Sequence, residues 1–430
     1  MSKPDIIEAD LTWTGRAFES EIQVEVTADG RIGRVGPLGL TATRRLSRQA
    51  LLPGFVNAHS HAFQRGLRGQ GERFPAGAGS FWTWREAMYG LVDGLDQPSV
   101  TRLAIQAFRE MRATGITTVG EFHYLHHSRN QSDFALDRAM LAAAAEVGIR
   151  LVLLVAYYRT GGIGKPLEGA QRRFETASVE RYWAHVDALR DELHECQSLG
   201  AVVHSIRAAS LEELAAIHDG AVTRDLPIHM HVEEQRQEIV DCMEAYGKTP
   251  MRAILDTIGD PSRLTAVHCT HTADEDRGHF LATGGRICLC PLTEANLGDG
   301  LPTLDGVETA RCAIGTDSNA RIDMFEEMRW LEYGQRLRGE ARGTMVDGEG
   351  EVARTLMTIA TEGGASSLAI PAGVIAAGAL ADLTAVDIES SLLAGIPPTR
   401  LLEGMVFGAD GRMVTATAVG GHWTSHGPDT

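Results

Sequence analysis

The sequence predicts an α/β chain in which a (β/α)8 TIM-type barrel carries a small β-sandwich domain built from both termini. Three observations predict it. Between about residues 50 and 320, short apolar runs alternate with longer amphipathic or Ala-rich segments, as repeated βα units do. Eight such runs can be counted, and eight is the number that closes a barrel. The first 50 residues and those from about Gly373 onward instead carry turn residues and short alternating stretches.

In chain order the runs are LLPGFVNAHSH, GITTVGEFHY, IRLVLLVAYY, GAVVHSIRAA, LPIHMHVEE, LTAVHCTH, RICLCPLTEAN and RCAIGTDSN. Most are nearly continuous in apolar residues, as strands buried on both faces are. Helices are expected at PSVTRLAIQAFREMRATG, with Pro98 near its start and Gly115 at its end, and at FALDRAMLAAAAEVG and SLEELAAIHDG. EIQVEVTADGRIGRVG and GRMVTATAVGG read as strands of the terminal domain. The expected boundaries are 1–50 plus 373–430 for that domain and 51–372 for the barrel, with GHWTSHGPDT a loosely held tail.

The 430 residues, 43% of them hydrophobic, can bury a full-sized core, so disorder is not the default. The formal charge of -17 is spread along the chain, and no Lys/Arg cluster makes a phosphate-binding track, which argues against a nucleic-acid partner. The six cysteines show no CxxC pairing and lie mostly in apolar runs, so they read as reduced core residues. No stretch reaches the roughly 18 apolar residues of a membrane span, and MSKPDIIEADLTW lacks the apolar segment of a secretory signal. A cytoplasmic chain without a membrane partner is the expectation.

Active sites of this architecture sit at the C-terminal strand ends, and that is where the polar residues fall. His59 and His61 are two apart at the end of the first run, so both side chains leave the same face. Alone, an HxH pair is a weak signal, equally read as two histidines in a turn. His231 at the end of the fifth run, His268 of the sixth and Asp317 of the eighth change that weighing. Imidazoles plus one carboxylate, with no thiolate, suit a catalytic zinc with an open position, although iron or manganese accept the same donors. His59, His61, His231 and Asp317 are the expected ligands of one Zn(II) per chain. His268 then remains to hydrogen-bond the attacking water or a developing oxyanion, with His271 as its rival. Glu234, three residues past His231, is the proton-shuttle candidate; its bland reading is a solvated first-turn glutamate like Glu233 beside it.

PGFVNAHSH, HMH, VHCTH, GTDSN and GALADLTAVD resemble the amidohydrolase superfamily over nearly the whole chain. HSHAFQRGLRG, SFWTWREAMY, EFHYLHH, HSIRAAS, CPLTEANLGDG and EEMRWLEYGQRLR resemble, more closely, the formimidoylglutamate deiminases, which hydrolyse N-formimino-L-glutamate to N-formyl-L-glutamate and ammonia in histidine degradation. The resemblance implies the same four zinc ligands, assistance by Glu234 and His268, and a homodimer. It further implies that Gln64, Arg85, Tyr124, His204 and Arg207 line the pocket of a small anionic substrate, the two arginines meeting its carboxylates. On local sequence alone Arg85 reads as a surface or structural residue. Two departures from the family pattern stand out: HVEEQ, where a small residue is expected before the glutamate, and TDSNA, where Asn319 replaces a histidine. The rival readings are a superfamily deaminase acting on a purine or pyrimidine ring, and a non-catalytic barrel scaffold.

Overall fold

The computed structural model describes residues 4–427 apart from 71, 73 and 75–78. Eight parallel strands form a barrel: β1 (Phe55–Ser60), β2 (Ile116–His123), β3 (Arg150–Tyr157), β4 (Gln197–Ser205), β5 (Ile228–Val232), β6 (Leu264–His268), β7 (Arg286–Leu289) and β8 (Cys312–Ile314). Every residue of β1, β2, β5 and β6 is buried, including polar ones such as Asn57, Glu121, His229 and Thr265. The sheet is closed just past β8. There Asp317 N–H donates to the His59 carbonyl at 3.0 Å, and His61 N–H donates to the Asp317 carbonyl at 2.8 Å. Gly315 permits this approach, because a Cβ there would lie 2.5 Å from the His59 carbonyl oxygen.

The helices that matter for the site are α1 (Phe81–Gly94), α2 (Gln97–Ala113), α3 (Ala135–Val147), α4 (Val179–Arg190), α5 (Leu211–Thr223), α6 (Arg236–Tyr246) and α7 (Pro250–Ile258). Their starts follow the chemistry of the sequence. Asp96 caps α2 by accepting from Ser99 N–H, and Ser210 caps α5 with Glu213 completing a reciprocal pair. Gly148, with φ +71°, ends α3. Gly220 does not end α5, which runs on to Thr223. Its missing side chain makes room for the Trp183 ring of α4, whose atoms would lie 2.4 Å from an added Cβ. Gly220→Ala is therefore expected to destabilise the fold by about 1–3 kcal/mol, the usual range for an overpacked contact. Urea denaturation reads this directly, and an unchanged midpoint would mean the ring moves freely.

The terminal segments form one mixed sheet with its own apolar core around Ile7, Val24, Ile32, Leu51 and Ala385. Strand Arg44–Pro53 lies parallel to Asp5–Trp13 and antiparallel to Leu383–Asp387. The run LLPGFVNAHSH is thus divided: Leu51–Pro53 belongs to the terminal sheet, and the barrel begins at Phe55. The expected loose tail is corrected in part. His422–Ser425 pairs with Val414–Val419, Arg44 stacks over Trp423, and residues 428–430 lie outside the described ones. Asp382 ties this sheet to the barrel, accepting from Arg150 of β3 at 2.6 and 2.9 Å and from Gly420 N–H at 2.8 Å. All six cysteines are free and five are buried. No helix among the described residues is long and apolar enough to cross a membrane.

Candidate metal centre and pocket

The side chains of His59, His61, His231 and Asp317 meet at the C-terminal mouth of the barrel, with one donor atom from each within 4.8 Å of the others. His59 Nε2 and His61 Nε2 lie 3.4 and 3.3 Å from Asp317 Oδ1, and His231 Nε2 lies 3.2 Å from His59 Nε2. A carbonyl can only accept, so the 2.7 Å contact of His61 Nδ1 with the Phe122 carbonyl puts the proton on Nδ1. Its Nε2 lone pair then faces the centre. Burial holds all three imidazoles below their ordinary value, His61 at about 3, so they are neutral and can donate lone pairs. Neutral imidazole nitrogens converging on a carboxylate, that of His61 with no proton to share, fit a cation.

Two other groups are less suited. His268, Cys290 and Asp317 also converge, but burial keeps the Cys290 thiol protonated. His123, His126 and His185 surround the buried Asp137 of α3 at 3.1, 2.8 and 2.5 Å, which are hydrogen-bond distances, and His126 Nε2 is already used by the Ala156 carbonyl at 2.7 Å.

His268 Nε2 lies 4.0 Å from both Glu234 Oε1 and Asp317 Oδ2, and its Nδ1 lies 3.4 Å from Glu294 Oε1. Burial alone would lower the pKa of His268. The surrounding carboxylates, Glu234 foremost, outweigh burial and push it up to about 10; a dication on Asp317 would act the other way. Glu234 is itself pushed up, chiefly by burial. His271 does not line the pocket that holds His268: it is half-buried, and its backbone N–H donates to the Glu233 carbonyl at 3.1 Å.

Glu234 and His268 share one pocket with His61, His231 and Asp317, and the same pocket is lined by Gln64, Arg85, Tyr124, His204 and Arg207. Gln64 Nε2 donates to the Tyr124 hydroxyl at 2.7 Å, leaving its own carbonyl oxygen buried without a partner. The remaining wall is aromatic and apolar. Phe81, Trp84, Met88 and Tyr89 line it from the face of α1 that also carries Arg85, a spacing of three and four residues that was visible in FWTWREAMY. Tyr158, Phe174 and Leu297 were not foreseen, and nothing local to them signals the pocket.

Both departures from the family pattern have local explanations. Glu233 takes a left-handed φ of +53° and turns its carboxylate to Met251 N–H at the start of α7, 3.0 Å away. Asn319 lies behind the pocket wall: its amide donates to Ser60 Oγ and to the Asp317 carbonyl, both at 3.1 Å, and its Oδ1 accepts from Thr316 Oγ1 at 2.6 Å. Two unforeseen carboxylates also brace the site. Glu294 accepts from Cys290 N–H at 3.0 Å beside His268, and Glu121 accepts from Ala62 N–H at 2.6 Å behind His61.

Residues 50–424 match the Amidohydrolase family. The chain is 37% identical over 431 residues to a formimidoylglutamate deiminase of Pseudomonas aeruginosa, covering 97% of this chain and 94% of that one. It is 28% identical over 379 residues to a 5-methylthioadenosine/S-adenosylhomocysteine deaminase of Shouchella clausii, covering 86% and 80%. Among solved structures it is similar to an amidohydrolase from Brucella melitensis, with a TM-score of 0.89 and 32% identity over 99% of this chain and 95% of that one.

Proposed function

The chain belongs to the amidohydrolase family and is a hydrolase acting on carbon–nitrogen bonds, and from that premise we propose that it deiminates N-formimino-L-glutamate to N-formyl-L-glutamate and ammonia. The observation that carries the substrate is the presence of Arg85 and Arg207 in the pocket that also holds Glu234 and three of the four convergent donors, His61, His231 and Asp317. Two guanidinium forks match the two carboxylates of a glutamate portion. The 37% identity to a formimidoylglutamate deiminase supports the same assignment.

His59, His61, His231 and Asp317 would hold the metal, and their nitrogen-rich donor set favours Zn(II). Bound there, the ion supplies a water acidic enough to be deprotonated near neutral pH and a Lewis acid for the developing negative charge. Asp317 and His268 would accept the protons of the attacking water, with His268 hydrogen-bonding its oxygen as the formimino carbon becomes tetrahedral. As the water oxygen bonds to the formimino carbon, Glu234 would give the terminal nitrogen one proton while the C=N bond becomes single. A second proton, originating from the same water and relayed through these groups, would then release ammonia as the C–N bond breaks and the oxygen becomes the formyl carbonyl. The apolar wall from α1 excludes bulk water. The dispersed charge of -17 supports a pocket-sized partner over nucleic acid.

The aromatic wall and the 28% identity to a 5-methylthioadenosine/S-adenosylhomocysteine deaminase favour one second reading, a ring deaminase. An ammonia-release assay of the zinc-loaded protein separates them. Formiminoglutamate is expected to be turned over, and guanine, cytosine, 5-methylthioadenosine and an N-formimino amino acid lacking the side-chain carboxylate are expected to be poor substrates. Faster release from a ring compound would overturn the assignment.

A further inference from the structure

Arg85 and Arg207 face one pocket but are held in different ways. On α1, Arg85 Nε donates to the Tyr89 hydroxyl one turn later at 2.7 Å, and Gln171 Nε2 donates to the same oxygen at 2.9 Å. The guanidinium carbon sits 5.4 Å from the Trp82 ring centroid and 5.3 Å from that of Tyr89. Its bracing groups are all neutral, so Arg85 brings a full positive charge to the pocket. Arg207 Nε instead donates to Glu238 Oε2 of α6 at 2.9 Å. The Glu238 side chain is buried, and its Oε1 accepts from Glu233 N–H at 2.8 Å. Arg207 is therefore already neutralised by a fixed neighbour and acts as a directional donor. In both cases the inner Nε is taken by an acceptor that is not ligand, which leaves the two Nη groups to meet one carboxylate end-on.

We propose, resting on the reading of the substrate as a dicarboxylate, that Tyr89 and Glu238 are positioning residues that assign one carboxylate to each arginine. Tyr89, with Gln171 behind it, fixes the fork of Arg85. Glu238 fixes that of Arg207 and, through the strained Glu233 turn, the backbone that presents Glu234. The pocket would then recognise a dicarboxylate by two separately braced forks rather than by one positive patch, with selectivity set by residues that do not touch the ligand.

Calorimetric binding to the zinc-loaded full chain tests this with three probes: N-formyl-L-glutamate, N-formyl-L-norvaline, which keeps only the α-carboxylate, and N-formyl-4-aminobutyrate, which keeps only the distal one. Tyr89→Phe is expected to weaken the diacid and one monoacid by about tenfold, the scale of one hydrogen bond to a charged group, and to leave the other monoacid within about twofold. Glu238→Gln is expected to spare that first monoacid and weaken the second. A merely structural disturbance would weaken both monoacids alike. That pattern, an effect of both variants on the same monoacid, no effect of either variant, or no binding of the diacid by the parent protein, would overturn the proposal. If the binding pattern holds while formiminoglutamate releases no ammonia, the dicarboxylate assignment stands and the proposed reaction falls.

Discussion

Glu234→Gln is expected to lower kcat by about a hundredfold or more, the scale of losing a general acid–base group, while metal content and ligand affinity stay close to those of the parent. The substitution is nearly isosteric, and the group it alters lines the pocket without belonging to the convergent donor set. An amide has no proton of suitable acidity to give to the departing nitrogen. The charge change is felt by His268, 4.0 Å away, so a small shift of the pH profile should accompany the loss. Steady-state kinetics with metal analysis of the same sample reads both parts. A variant retaining near-parental kcat would remove Glu234 from the proposed mechanism and leave His268 or Asp317 to supply the proton.

Asp317→Asn should uncouple metal retention from folding. The backbone of Asp317 closes the barrel through its bonds with His59 and His61, and asparagine keeps both. The carboxylate is the only anionic member of the four-donor set, and its loss should weaken metal binding by more than the about 10–100-fold that follows removal of a partner supporting a ligand. Extensive dialysis should strip the variant but not the parent protein, activity should fall in step, and the melting temperatures of the two metal-free forms should agree. Full metal content in the dialysed variant would refute the proposed ligand set.

Much of this was legible in the sequence because the barrel imposes one rule repeatedly. A strand buried on both faces is mostly apolar, so histidines at or just past its end, such as His61, His231 and His268, stand out, although mid-strand His229 shows that a polar residue is not by itself a mark of the mouth. The lining by Arg85 and Arg207 came from resemblance, since a single arginine in an amphipathic helix carries no local mark of what it faces. Glu294, Glu121, Glu238 and Tyr89 could not be read, because each acts on a neighbour brought to it by folding. Glu238, for example, meets Arg207 across 31 residues of chain. Glu233 read as a solvated first-turn glutamate and is buried instead, its carboxylate accepting from Met251 N–H, while Asn319, a departure from the family pattern, braces the backbone behind the pocket. Gly220 looked like a helix stop and is a notch for an indole ring.

The seam between β1 and β8 joins the two ends of the barrel's sequence, and it is also where His59, His61 and Asp317 come together. A nascent chain therefore owns no complete coordination sphere until nearly all of the barrel has left the ribosome, and a collapsed N-terminal portion offers a passing ion only an incomplete set of imidazoles. An ion held by this set would depend on the same contacts that lock the cylinder. The order of synthesis would thereby protect the centre from filling before its shape exists to choose among ions.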